Sequence, residues 1–140
     1  MMSEASFLAL SVELTGFQAF DLRATGLVGD YYSKTVAAVD ATALAEIDAI
    51  YGAVAEASAD ERHATVSGML ASAAHGVIVR RIVMLWYTGS WYVAPPYDAA
   101  TLSSQSYVEG LMWKAIGAHP MAAAPQGYGA WALPPPEAGA

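Results

Sequence analysis

The chain has 140 residues, a length that suits one compact domain. Apolar residues make up 56% and charged residues only 14%, against about 25% charged in a typical globular chain, so few charges are available to cover a small domain's surface. The net charge of −7, with six basic residues and Arg80-Arg81 the one basic pair, argues against nucleic-acid binding, which needs clustered Lys and Arg.

Residues 3–14 predict a first helix. Phe7, Leu10 and Leu14 recur at helical spacing, Ser3 stands where an N-cap is needed, and Thr15-Gly16 stops the run. Residues 21–39 predict a second helix, with Leu27, Tyr31 and Val39 near one face and Gly26 and Gly29 weakening it. Asp40 caps a third, to about residue 57, with Leu44, Ile47, Ile50, Tyr51 and Val54 on one face. Asp60-Glu61 then place acid at the start of a fourth helix, where it suits the dipole, and Val66, Met69 and Leu70 follow. Gly76 bends or breaks this helix. Residues 77–88 are apolar nearly all round, with a polar edge at Arg80 and Arg81, and Gly89 ends them; this marks a central helix.

Residues 90–96 are aromatic and contain Pro, which predicts a loop. Ser106 and Glu109 fit a capping box, Ser at N-cap and Glu at N3, opening a short helix through Trp113 or Ala115. Residues 121–140 hold Pro125, Pro134, Pro135 and Pro136 with Tyr128 and Trp131 and almost no charge. Such a segment forms neither a helix nor a central strand, and it is too apolar for an ordinary disordered tail. An extended aromatic strip suits a protein surface, another chain's or its own bundle's. The fold expected is therefore all-α: a bundle of about five helices over residues 1–120 and an extended Pro-rich strip over 121–140. Its expected core is Phe7, Leu10, Leu14, Ile47, Ile50, Val54, Leu70, Ile82, Leu85, Trp86 and Trp113.

Motifs that carry chemistry are scarce. Without cysteine, the chain offers no disulfide, thiolate or zinc-thiolate chemistry. His63, His75 and His119 lack Glu or His at metal-binding spacing, so no metal site is expected and each reads as a surface or contact residue. The glycines form no phosphate loop and no serine sits in GxSxG. The most apolar stretch, residues 77–87, is shorter than the roughly 20 residues of a membrane span and contains both Arg80 and Arg81. The opening residues carry Glu4 and no basic cluster, so they do not read as an export signal, and a cytoplasmic location is one expectation.

All four tryptophans fall in the last 55 residues. Trp86 and Trp113, on predicted helices, are assigned to the core. The partner-binding candidates are Trp91, Tyr92, Tyr97, Tyr128, Trp131 and Pro134, because aromatics on loops are typical interface anchors.

Four segments stand in a recognisable order: FLALSVELTG at 7–16, LWYTG at 85–89, SYVEGLMW at 106–113 and PQGYGAWALPPP at 125–136. Together they resemble the small subunit of bacterial membrane-bound FAD-dependent sugar and polyol dehydrogenases, the fructose, sorbitol and glucose dehydrogenase complexes. The residues that carry the likeness are Phe7, Leu10, Thr15, Gly16, Trp86, Tyr87, Gly89, Tyr107 and Trp113, together with the closing Trp131. The resemblance implies a non-catalytic subunit with no cofactor of its own. Its partner would be a large flavoprotein of the glucose–methanol–choline type, holding FAD and oxidising a sugar or alcohol. A cytochrome c subunit commonly takes the electrons, and the complex works on the periplasmic side of the inner membrane. Two features depart from that pattern. No cysteine stands in residues 121–124, so a disulfide to the partner by that route is impossible, and no twin-arginine signal is present. The alternative is a free-standing helical domain, small-molecule-binding or hydrolytic, with a site lined by the aromatic loop.

Overall fold

The computed structural model describes residues 1–93 and 99–120. It is mainly helical: eight helices and one two-stranded sheet among the described residues. Five helices have eleven residues or more, which matches the expected number; the other three are short. The chain divides into two compact units, Met1–Val83 and Met84–Ala140. The expected strip at 121–140 lies outside the described residues.

In the first unit, α1 (Glu4–Thr15) begins where Ser3 predicts, the Ser3 hydroxyl accepting from the Ser6 N–H at 3.0 Å. Residues expected to form one helix at 21–39 form two, α2 (Ala19–Ala24) and α3 (Val28–Ala38). The break has a local cause. The Thr25 hydroxyl donates to the Leu22 carbonyl at 2.7 Å and accepts from the Leu27 N–H at 3.1 Å, while Gly26 takes a left-handed φ of 70°. Asp21, expected to begin the helix, is the N3 residue of α2, opposite Gln18 at the N-cap. The Asp40 carboxylate accepts from Thr42 and Ala43 and opens α4 (Ala41–Gly52) as predicted. Ser58 opens α5 (Ala59–Ala71), with Asp60 and Glu61 in its first turn. α6 (Gly76–Thr88) starts at the expected break, bent 108° from α5. Arg80 donates to the Leu70 carbonyl at 2.8 Å, satisfying an acceptor at the end of α5 that the helix itself leaves open.

The central position, expected for residues 77–88, belongs in the first unit to α1, which packs on α2, α3, α4 and α5 and buries Phe7, Leu8, Leu10, Ser11 and Thr15. α6 buries Val79, Ile82, Leu85 and Trp86 but leaves Val77 and Met84 exposed, so it presents one open side. Ile50, expected in the core, is 37% exposed, whereas Ile47 on the same helix is fully buried. Burial also extends to Met2, Leu22 and Leu111, none of which fits a predicted face.

Two polar contacts tie elements of the first unit together. Glu13 on α1 pairs with Arg62 on α5 at 3.3 Å, and Arg62 also donates to the Ala57 carbonyl. Tyr51 is buried near this pair and donates its hydroxyl proton to the Ala9 carbonyl at 3.2 Å. Burial, and next the Glu13 carboxylate, push the Tyr51 phenol up, with Arg62 opposing, from an ordinary value of about 10. A raised value means that the folded state holds the proton more tightly. That contribution to stability is complete below about pH 10 and is lost as pH rises through the folded value. Alkaline unfolding followed by circular dichroism should therefore be blunted in Tyr51→Phe relative to the parent chain. Equal pH slopes above about pH 10 would show that this phenol does not contribute.

Candidate partner-binding surface

The described residues of the four sequence segments are held by local chemistry within each unit. In α1 the buried Ser11 hydroxyl donates to the Phe7 carbonyl at 2.7 Å, and the Thr15 hydroxyl donates to the Ser11 carbonyl at 2.8 Å. Phe7 and Leu10 are fully buried. Gly16 closes the helix in the left-handed region and donates its N–H to the Val12 carbonyl. A small hydroxyl is thus the polar group this position of α1 can bury, because it bonds back to its own helix.

In the second unit the Leu85–Gly89 and Ser106–Trp113 segments interlock. A Cβ built on Gly89, whose φ is 71°, would lie 2.2 Å from the Ser106 carbonyl oxygen. One built on Gly110 would lie 2.7 Å from the Tyr87 carbonyl oxygen. Main chain approaches main chain at both points, and only glycine permits it. The Ser106 hydroxyl, fully buried, donates to the Gly89 carbonyl at 3.0 Å. Ser106, expected as an N-cap, is instead the N3 residue of α7 (Ser104–Val108), and Ser103 is the cap, the two forming a reciprocal box. Glu109 ends α7 rather than bracing it, and a separate helix, α8 (Leu111–Ile116), follows from Gly110. The Trp113 indole donates to the Tyr107 carbonyl at 2.8 Å, with the two rings edge to face at 5.6 Å. Trp86 is buried as expected, while Trp113 is half-buried and Tyr87 likewise.

Among the partner-binding candidates the structure corrects one. Trp91, expected on a loop and facing a partner, lies in β1 (Ser90–Tyr92), which pairs antiparallel with β2 (Ala99–Thr101). It is 4% exposed, so its ring is already buried within this chain. The predicted loop at 90–96 therefore starts as a strand. Three β-capable residues with a distant partner strand carry no turn signal that sequence periodicity can register. Tyr92 is half-buried, and Tyr97, Tyr128, Trp131 and Pro134 lie outside the described residues.

The exposed apolar side chains are different ones. Phe20 on α2 is 70% exposed and Ile116 on α8 is 68% exposed, with Val93 and Val108 also open in the second unit. Phe20 sits in a six-residue helix too short for periodicity to orient, so its exposure was not legible from spacing. Exposed aromatics and branched aliphatics are the common anchors of protein contacts.

A shallow cleft of about 410 Å³ opens in the first unit between the start of α1 and the α2–α3 turn, lined by Glu4, Leu8, Arg23, Val28 and Gly29. His75, read as a surface or partner-contact residue, contacts Glu46 on α4 at 2.8 Å. Among the described residues no three His, Asp or Glu side chains converge as metal ligands, and no single helix is long and apolar enough to cross a membrane. No family model, curated protein or solved structure matches the chain.

Proposed function

We propose that this chain is a non-catalytic accessory subunit that stabilises or escorts a larger FAD-dependent dehydrogenase of the glucose–methanol–choline type, acting on a sugar or alcohol. The observation that carries the reading is the order of the four segments across nearly the whole chain. FAD belongs to the large subunit in this reading, a cytochrome c subunit is reached through it, and the assembled complex works at the periplasmic face of the inner membrane.

Surface composition supports a partner as well. A chain with 14% charged residues exposes Phe20, Met84 and Ile116. Covering such side chains in a complex contributes about 25 cal/mol per Å² of apolar area removed from water. The described motif residues act here as fold determinants, which is what a scaffold subunit asks of them. Tyr128 and Trp131 remain the proposed contacts of the 121–140 strip.

Co-expression tests this directly. The chain alone should give low soluble yield, rescued by a large flavoprotein dehydrogenase subunit, and the copurified pair should show flavin absorbance in the visible range. Deleting residues 121–140 should leave the helical circular dichroism signal and abolish copurification. A stable, monodisperse chain on its own that ignores the flavoprotein would favour the free-standing small-molecule-binding or hydrolytic domain, for which the cleft at Leu8 and Arg23 is the place to look.

A further inference from the structure

Among the described residues, the small sheet of the second unit has an open edge. The Leu102 N–H donates to the Gly89 carbonyl at 3.0 Å, and the register pairs Ser90 with Thr101, Trp91 with Ala100 and Tyr92 with Ala99. Bonded and non-bonded pairs alternate along an antiparallel ladder. Gly89 and Leu102 are bonded, so Trp91 and Ala100 are the next bonded pair. The N–H and C=O groups of Ala99 and Thr101 therefore point away from β1, and they meet no hydrogen-bond partner among the described residues. The Thr101 hydroxyl bonds Ser90 across the face and leaves the edge free. All three residues of β2 are exposed, and none is charged or Pro.

Natural edges are usually blunted by Lys, Pro or a bulge, and β2 carries none of these within the strand. Its outward groups repeat every second residue, about 6.8 Å apart. One class of ligand matches that spacing of donors and acceptors: an extended peptide main chain. Three residues are too few to hold another chain alone, because a specific interface buries about 1,000 Å² or more. The occupant thus belongs to a protein that covers other parts of this chain too. A second copy is disfavoured, since each carries a net charge of −7.

We infer that the outer edge of β2 receives an extended segment of the large partner subunit as a third strand, paired through the main chain of Ala99 and Thr101. The inference rests on the accessory-subunit reading. Its test is a pair of variants measured in the copurified complex. Ala99→Pro removes an outward N–H at an edge position that tolerates Pro, and leaves the Trp91–Ala100 bonds in place. Ala99→Val keeps the N–H. Ala99→Pro should bind the large subunit about tenfold more weakly, and Ala99→Val like the parent. Continued protection of the Ala100 and Leu102 amides shows that the variant sheet has folded. In the parent complex the amides of Ala99 and Thr101 should exchange at least tenfold more slowly than in the free chain.

Unchanged exchange at Ala99 and Thr101 on binding, or equal affinity of both variants, overturns the strand pairing while leaving the accessory role standing. Failure of the parent chain to bind any such flavoprotein overturns the role and this occupant together. Concentration-dependent dimers abolished by Ala99→Pro would assign the edge to a second copy and overturn the inference.

Discussion

Replacing Gly89 by Ala is expected to destabilise the second unit by about 2–5 kcal/mol. Two effects add. The left-handed backbone at φ 71° costs a residue with a Cβ roughly 1–2 kcal/mol. The new methyl would also lie 2.2 Å from the Ser106 carbonyl oxygen and 2.4 Å from its carbon. Those are main-chain atoms, so relief requires moving α7 away from the end of α6, and forced shifts of this kind cost about 1–3 kcal/mol. The displacement also breaks the Ser106 hydroxyl's bond to the Gly89 carbonyl and the Leu102 bond to the same oxygen. Gly117 is the matched control. It has a φ of 65°, but a methyl placed there would have nothing within 4 Å. Gly117→Ala should therefore carry the left-handed cost alone, about 1–2 kcal/mol. Amide exchange at Ala100, Leu102 and Tyr107 reads the difference; equal protection in the two variants would refute the close approach as the reason for glycine at 89.

Phe7→Ala should cost about 3–5 kcal/mol, a large part of the roughly 5–15 kcal/mol that holds a typical domain folded. Phe7 is fully buried on the helix that packs against four others, with its ring 6.0 Å from that of Tyr32 on α3. No neighbour can easily follow a side chain lost from the centre of a unit, so a cavity remains. Ile50→Ala, by contrast, should cost well under half as much, because Ile50 is already 37% exposed and little packing is lost. Urea unfolding of both variants checks the contrast. If Ile50→Ala proved the more damaging, the arrangement of α4 against α1 would be wrong.

These two residues show where the sequence is a good guide and where it is not. Periodicity places both in the core, and it is right about Phe7. On α4, Leu44, Ile47, Ile50 and Tyr51 make a face wider than α1 and α5 cover, and Val54, expected to continue it, lies past the helix end. Which side of that face stays wet depends on the neighbours' positions, and spacing along one helix carries no information about them. The same limit applies to Trp91, whose place in a strand depends on pairing with residues 99–101, which spacing around position 91 does not reveal. The exposed apolar side chains were not legible. Low charge and abundant aromatics led to the expectation of a partner, but Phe20 and Ile116 were not among the residues that loop position singled out.

The sequence by itself determined the helical class, the caps at Ser3 and Asp40, the stop at Gly16, the break at Gly76 and the burial of Phe7, Leu10, Ile47, Ile82, Leu85 and Trp86. Each of these is set within a few residues, by a side chain bonding its own backbone or by the period of a helix. The tertiary structure alone decided that α1 rather than α6 is surrounded in the first unit, that Ser103 displaces Ser106 as a cap, and that Gly89 and Gly110 are meeting points of main chains. Those outcomes depend on atoms distant in sequence arriving at the same place, where sterics and hydrogen bonding select among local options that are nearly equal in energy.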